Sequence, residues 1–152
     1  MKDITVDIGV LMSASRMGDP PHHDSTLRLT EKMKEVSDAG LALDARGKIE
    51  QQYGEKLGGQ SYGAIWVKEM ATKGKVVRVE WGRFNRGVKT ALEEAHFDWE
   101  DFKYVQTAAS TSCKWLVSHD PDYSPTVRQI LRKRLEVSVV DAASAGCSLH
   151  PV

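Results

Sequence analysis

Short runs of β-branched and aliphatic residues alternate along the chain with longer segments whose apolar residues recur at helical spacing. The short runs predict strands, and the longer segments predict amphipathic helices. When a helix separates each strand from the next, the chain returns across the sheet and successive strands pair in parallel. The alternation therefore predicts an α/β fold, a three-layer α/β/α sandwich with a mainly parallel central sheet.

The first predicted strand is apolar on both faces, which is typical of a strand covered by helices on each side. We therefore expect it in the middle of the sheet. Strands are predicted over residues 4–12, 40–44, 75–81, 114–118 and 136–140. Helices are predicted over residues 25–36, 45–57, 61–72, 87–95, 98–112 and 124–135. An irregular loop is expected over residues 15–25, and residues 142–152 form a C-terminal tail of unassigned structure.

Length and composition fit one domain spanning residues 1–152. Hydrophobic residues make up 41% and charged residues 28% of the chain, and 21 basic side chains balance 21 acidic ones. That balance indicates neither a strongly basic nucleic-acid-coating protein nor an acidic tail. The two cysteines lack CxxC spacing, so we expect reduced thiols. No signal peptide or membrane span is evident, which predicts a soluble, cytoplasmic protein with no membrane partner.

Acidic residues fall where a parallel sheet gathers its ligands. In "KWLVSHDPDYSP", residues 114–125, a short apolar strand is followed by Asp120 and Asp122. Asp101 opens the helix that leads into this strand, and Asp7 interrupts the apolar run of the first predicted strand. Because ligands bind at the carboxyl ends of parallel strands, we expect Asp7, Asp101 and Asp120 to share one site.

Carboxylates brought together in this way repel one another unless a cation keeps them ionised. A hard cation with oxygen ligands is the economical explanation, and Mg²⁺ or Mn²⁺ is the usual kind. The sequence thus predicts a magnesium or manganese site.

Three stretches of the chain resemble PIN domains. "DIGVLMSAS" near the N-terminus is similar to the opening motif of that family, and "DFKYVQTAASTSCKWLVSHDPDY" is similar to its closing half. "LALDARGKIEQQYGEKL" between them is similar to the family's strand and following helix. The resemblance covers nearly the whole chain, although residues 58–95 match only in outline.

The resemblance implies a metal-dependent nuclease that acts mostly on RNA, with a cluster of acids at the carboxyl edge of the sheet. It assigns catalytic and metal-binding roles to Asp7, Asp101 and Asp120, and a supporting metal role to Asp122. Where the family has a glutamate, this chain has Gln52. Glu50 and Glu55 are the nearby acids that could substitute, and we predict Glu50 as the further metal ligand.

The leading hypothesis is therefore a hydrolase, a Mg²⁺- or Mn²⁺-dependent endoribonuclease with RNA as substrate. The resemblance also implies a second copy of the chain and an inhibitory protein as candidate partners. The alternative is a catalytically weakened PIN-like module that binds RNA or protein, and Gln52 favours it. A phosphatase or phospho-acceptor domain using Asp7 is less well supported, because no Asp-x-Asp pair follows the first strand.

Several of these residues also have ordinary structural interpretations. Asp98 and Asp101 are both typical of a helix start, and Asp122 suits a turn. His22 and His23 resemble a metal-binding tract, yet a proline-rich loop explains them more simply. His119 is expected on the solvent side of the site. Three groups of basic residues could contact phosphates or could be solvated surface: Lys73, Lys75 and Arg78; Arg83, Arg86 and Lys89; Arg128, Arg132, Lys133 and Arg134.

Overall fold

The computed structural model of the protein describes residues 1–17 and 20–149. In this part of the chain, five parallel strands form one sheet in the order β3-β2-β1-β4-β5. The strands are β1 (Lys2–Val6), β2 (Ala39–Asp44), β3 (Val76–Val79), β4 (Trp115–Val117) and β5 (Ser138–Val140). The α/β fold with a parallel central sheet is confirmed, and β1 is its middle strand, as its two-sided apolarity predicts.

Helices cover both faces of the sheet. They are α1 (Ile8–Ala14), α2 (His23–Glu35), α3 (Lys48–Lys56), α4 (Tyr62–Thr72), α5 (Arg86–Glu94), α6 (Phe102–Ala109), α7 (Pro125–Leu135) and α8 (Ala142–Cys147). On one side α2 contacts β2, α1, α4 and α8, and on the other α6 packs across β1, β2 and β4. In the described ranges, no helix has the length and apolarity needed to cross a bilayer.

The first predicted strand proves to be two elements. Residues 4–12 were expected to be one strand, but β1 ends at Val6 and α1 begins at Ile8. The apolar run continues because Val10, Leu11 and Ala14 form the buried side of α1. A short apolar run cannot distinguish a buried strand from a buried helix. Asp7 is therefore not inside a strand, as predicted, but at the junction where the strand becomes a helix.

Other boundaries also differ from the predictions. The helix expected over residues 98–112 is a 3₁₀ turn, Trp99–Asp101, followed by α6. The last strand was expected to start at residue 136, but Glu136 has a left-handed backbone that ends α7. Part of the tail of unassigned structure is helical, because α8 packs against α2. Residues 150–152 of that tail lie outside the described residues.

The direction of chain progression reverses between β1 and β4. From β1 the chain moves outward through β2 and β3, and then returns to β4 on the other side of β1. Val6 pairs with Val117, and the Asp7 amide donates to the Val117 carbonyl at 3.0 Å. The residues that follow β1 and β4 are therefore neighbours at the switch point, the usual ligand position in such sheets.

Candidate functional site

The cavity at this switch point has a volume of about 380 Å³ and contains three of the predicted acids. Asp7, Asp101 and Asp120 all line it. The other lining residues are Ile8, Gly9, Met12, Ser13, His22, His119 and Pro121. Residues separated by more than a hundred positions thus meet at the carboxyl edge of the sheet.

Asp7 is almost fully buried and is held by a hydroxyl. The residue is 3% exposed, and the Ser118 hydroxyl donates to Asp7 Oδ2 at 2.7 Å. Ser118 Oγ in turn accepts the Asp120 amide hydrogen at 3.1 Å, which links the two acids through one serine. Burial raises the pKa of Asp7, and the charge of Asp120 raises it further against the opposing hydrogen bond from Ser118.

Asp101 comes from the segment that leads into α6. It ends the 3₁₀ turn that precedes α6, and Asp98 Oδ1 caps this turn by accepting the Glu100 amide hydrogen at 3.0 Å. Burial raises the pKa of Asp101 to about 7, together with repulsion from Asp7, Asp120 and Asp98. The carboxylate therefore lies where a negative charge is poorly stabilised by the protein alone.

A second grouping of acids shares Asp101 with the cavity. Carboxylate oxygens of Asp98, Asp101 and Asp122 lie within 4.8 Å of one another, an arrangement that could hold a metal ion. The Asp122 amide also donates to Asp120 Oδ1 at 2.9 Å, which connects this cluster to the cavity. The sequence predicts only a helix-capping role for Asp98. Asp98 and Asp101 are three residues apart, and this spacing indicates that their side chains lie on the same side of a 3₁₀ turn.

The donor set suits a hard divalent cation. All of these groups offer carboxylate oxygens, the ligand type that Mg²⁺ and Mn²⁺ prefer. The buried Tyr123 hydroxyl has no hydrogen-bond partner in the described part of the chain. Burial raises the pKa of Tyr123, and so do the charges of Asp7, Asp101 and Asp120. A cation among these carboxylates would lower that local negative potential, so the residues present fit a metal ion.

Gln52 reaches the edge of the site through a tyrosine. The Tyr104 hydroxyl donates to Gln52 Oε1 and accepts the Ile8 amide hydrogen at 3.3 Å. Ile8 is the first residue of α1, directly after Asp7. The neighbouring Tyr53 donates its hydroxyl hydrogen to the Val6 carbonyl, which fixes the helix carrying Gln52 against the end of β1. Tyr104 is not predictable as a site residue, because nothing in the local sequence marks it as a partner of residue 52.

Glu50 does not join this arrangement. It forms an ion pair with Arg78, and it lines a different cavity with Tyr53 and Leu57. The other alternative, Glu55, accepts a hydrogen bond from Gln51 at 3.2 Å. The structure therefore does not bring Glu50 into the cavity of the three acids, because residues 50 and 52 of one helix point to different sides.

Two histidines at the cavity are stacked on each other. The ring centroids of His22 and His119 are 3.9 Å apart, with an interplanar angle of 9°. His23 turns elsewhere, since its Nδ1 contacts the Ser13 carbonyl at 2.9 Å and its Nε2 accepts from Arg16 at 3.2 Å. The proline-rich loop therefore does not gather His22 and His23 as one metal-binding tract.

The basic residues proposed as phosphate contacts are used in different ways. Lys75 is buried and donates to the Lys34 and Val36 carbonyls, so it is not an exposed phosphate contact. Arg128 donates to the Tyr123 and Val139 carbonyls. A further cavity of about 350 Å³ is lined by Arg83, Lys114, Lys133 and Arg134. Lys114 precedes β4, which places that cavity toward the amino ends of the strands.

No family model matches the chain, and no curated protein matches it. The fold and the site are therefore defined by their own geometry. They describe an α/β protein with a parallel five-stranded sheet and an acidic cavity at its switch point.

Proposed function

We propose that this protein is a Mg²⁺- or Mn²⁺-dependent ribonuclease of PIN type, which hydrolyses phosphodiester bonds of single-stranded RNA. The observation that carries the proposal is the convergence of Asp7, Asp101 and Asp120 on one cavity at the carboxyl edge of β1 and β4. The resemblance of the opening and closing motifs to PIN domains supports the same conclusion, because those motifs supply these three acids.

Within the proposal, Asp7, Asp101 and Asp120 hold the cation, and Asp98 and Asp122 extend the carboxylate set next to Asp101. When bound, the divalent ion acts as a Lewis acid toward the phosphodiester and acidifies water. Ser118 fixes the orientation of Asp7 by donating its hydroxyl hydrogen to Asp7 Oδ2. The Asp7 junction positions this carboxylate, because its backbone is anchored to both β1 and β4.

Gln52 favours a second candidate function, a PIN-like module that binds RNA or protein without efficient cleavage. An amide in this position adds no negative charge near Asp7, so a second cation would be held weakly. Paired metal ions need carboxylates that can bridge them over roughly 3.5–4 Å. The two candidate functions therefore differ in the rate at which the protein is expected to cleave RNA.

The experiment is cleavage of fluorescently labelled single-stranded RNA by purified protein with Mg²⁺, with Mn²⁺ and with EDTA. Asp7→Asn should abolish cleavage, because an amide keeps the shape of the side chain and removes its charge. Asp38→Asn is the matched control, since Asp38 is exposed and lies in the turn before β2; it should retain activity. Equal cleavage by the wild type and Asp7→Asn would contradict the proposal, and salt-sensitive binding without cleavage would favour the binding module.

A further inference from the structure

The stacked imidazoles of His22 and His119 belong to the same cavity as the three acids, and the metal chemistry does not use them. Both residues are partly exposed, and both line the cavity beside Asp7 and Asp120. His119 immediately precedes Asp120 in sequence, so any group stacked on the pair lies close to the carboxylates. The feature to be explained is therefore a flat aromatic surface beside an acidic centre.

Both rings are held in place by well-defined backbone elements. His119 Nε2 accepts the Ala142 amide hydrogen at 3.1 Å, which anchors the ring to the start of α8. His22 ends a 3₁₀ turn, and its carbonyl accepts hydroxyl hydrogens from Ser25 at 3.1 Å and Thr26 at 2.9 Å. The stack thus joins two loops that come from different sides of the switch point. A surface fixed in this way loses little conformational freedom when a ligand stacks on it.

We propose that the His22–His119 stack is a base-binding subsite, which holds one unpaired nucleobase of RNA beside the acidic cavity. This inference rests on the proposed ribonuclease function and adds the means of substrate recognition. Imidazole rings are among the side chains on which unstacked RNA bases pack, and every base offers a suitable face. The subsite would therefore select single-stranded RNA without selecting a particular sequence.

Charge explains why such a subsite would be needed. The cavity carries several carboxylates, which repel the phosphates of an approaching RNA until a cation is bound. Stacking of a neutral base is independent of that repulsion, so it can supply binding free energy where phosphate contacts cannot. A base within a duplex is already stacked between its neighbours and would have to be extruded first. The same surface therefore discriminates against double-stranded substrates.

A purely structural role for the stack is the competing explanation, because the rings also tie the start of α2 to the loop after β4. The two explanations differ in whether the effect of removing a ring depends on the substrate base. A structural defect lowers activity on every substrate. Loss of a base subsite lowers activity only where a base is present to stack.

The experiment compares His22→Ala, His22→Phe and His96→Asn with the wild type, and unfolding curves verify that each variant is folded. His22→Phe restores an aromatic ring. His96→Asn is the control, since His96 is exposed, does not line the cavity, and has the left-handed backbone (φ 59°) that asparagine tolerates. The substrates are a single-stranded RNA with a mapped cleavage site and a set of the same RNA in which each member lacks a different base beside that site.

We expect His22→Ala to lower kcat/KM on the intact RNA about tenfold, mainly through KM, because stacking contributes roughly 1–3 kcal/mol per base. His22→Phe should retain most of the wild-type value, and His96→Asn should equal the wild type. On the RNA whose abasic position is the one that occupies the subsite, the wild type and His22→Ala should have equal kcat/KM. If His22→Ala lowers kcat/KM by the same factor on the intact RNA and on every abasic RNA, or lowers it on none of them, the inference is overturned.

A second readout separates failure of the subsite from failure of the proposed function. Binding of single-stranded RNA containing 2-aminopurine is measured by fluorescence quenching, with Mg²⁺ and with EDTA, so that it does not depend on cleavage. If no RNA is cleaved but the wild type quenches the probe and His22→Ala weakens its binding, the nuclease proposal fails and the subsite stands. Absence of quenching by the wild type under both conditions would overturn the subsite.

Discussion

The uncharged amide of Gln52 is linked to the first turn of α1 by hydrogen bonds through one intervening residue. Gln52 Oε1 accepts the Tyr104 hydroxyl hydrogen, and Tyr104 accepts the amide hydrogen of the residue that follows Asp7. A glutamate at this position has the same length and can accept the same hydrogen bond. It would also bring a negative charge toward the proposed metal site.

We therefore predict that Gln52→Glu tightens Mn²⁺ binding and raises the rate of RNA cleavage. The added carboxylate increases the negative potential that attracts the cation without removing the contact with Tyr104. Isothermal titration calorimetry measures the affinity, and the cleavage assay measures the rate. Gln51→Glu is the matched control, because Gln51 is exposed on the same helix and should change neither quantity. Unchanged Mn²⁺ affinity in Gln52→Glu would show that residue 52 does not influence the metal site.

Asp3 is a buried carboxylate at the other end of β1, far from the proposed chemistry. It is 8% exposed and accepts hydrogen bonds from the Ser112 hydroxyl at 2.8 Å, the Ser112 amide at 3.2 Å and the Cys113 amide at 3.3 Å. Burial by itself would raise the pKa of Asp3, but these hydrogen bonds lower it below the ordinary value of 3.8. Asp3 therefore ties the loop before β4 to the middle strand.

Asp3→Asn should lower the free energy of unfolding at pH 7 by about 1–3 kcal/mol, because buried donors lose a charged acceptor. The pKa is lower in the folded chain, so this stabilisation is present above the unfolded pKa and disappears as pH falls through the folded pKa. The difference between wild type and variant, measured by urea unfolding, should accordingly shrink below about pH 4. A difference that does not change with pH would contradict this assignment.

At the scale of elements, the contact between α1 and α4 depends on a glycine. The Gly63 amide donates to Ser15 Oγ at 2.8 Å, and Ser15 Oγ donates to the Leu11 carbonyl at 2.7 Å. A Cβ atom at position 63 would lie 2.9 Å from Ser15 Oγ and 3.2 Å from the Leu11 carbonyl oxygen. The two helices can approach this closely only because residue 63 lacks a side chain.

Gly63→Ala should therefore destabilise the protein by about 1–3 kcal/mol, the usual cost of overpacking. Gly54→Ala in α3 is the comparison, since a Cβ there has no neighbour within 4 Å. It should stabilise the fold by about 0.4–1 kcal/mol through helix propensity and a less flexible unfolded chain. Denaturant unfolding monitored by circular dichroism measures the change in the free energy of unfolding for both substitutions. Equal effects of the two substitutions would refute the close approach of α1 and α4.

For the whole molecule, the acidic cavity couples metal binding to folding. Its carboxylates come from the 3₁₀ turn before α6 and from the residues that follow β1 and β4, so they converge only in the folded chain. A ligand that binds the folded state alone stabilises it by about 2.7 kcal/mol at a concentration one hundred times its Kd. The metal proposal thus has a consequence that is independent of any substrate.

Mn²⁺ should raise the melting temperature of the wild type and of Asp38→Asn, and should have little effect on Asp7→Asn. In EDTA, Asp7→Asn should be at least as stable as the wild type, because the substitution removes a buried charge repelled by its neighbours. Differential scanning calorimetry across a Mn²⁺ titration measures both effects. A shift of the same size in Asp7→Asn would place the bound ion outside this cavity.

The sequence predicts the parallel α/β fold and the central position of β1 because both follow from local patterns. The alternation of apolar runs with helical periodicity fixes the order of the elements, and two-sided apolarity marks the covered strand. Asp7, Asp101 and Asp120 were candidates for the same reason, since an acid within an apolar run, at a helix start or after a strand can be recognised locally. Residue order and side-chain chemistry by themselves determined this much about the protein.

Tertiary structure decided which side chains meet. It ended β1 at Val6, turned Glu50 toward Arg78, added Asp98 to the acids beside Asp101, and stacked His22 on His119. These outcomes depend on strand register, on the rotation of each helix about its axis, and on contacts between residues far apart in sequence, such as the two histidines, which are 97 positions apart. Local periodicity carries no information about such contacts, because only the packing of the elements brings those side chains together.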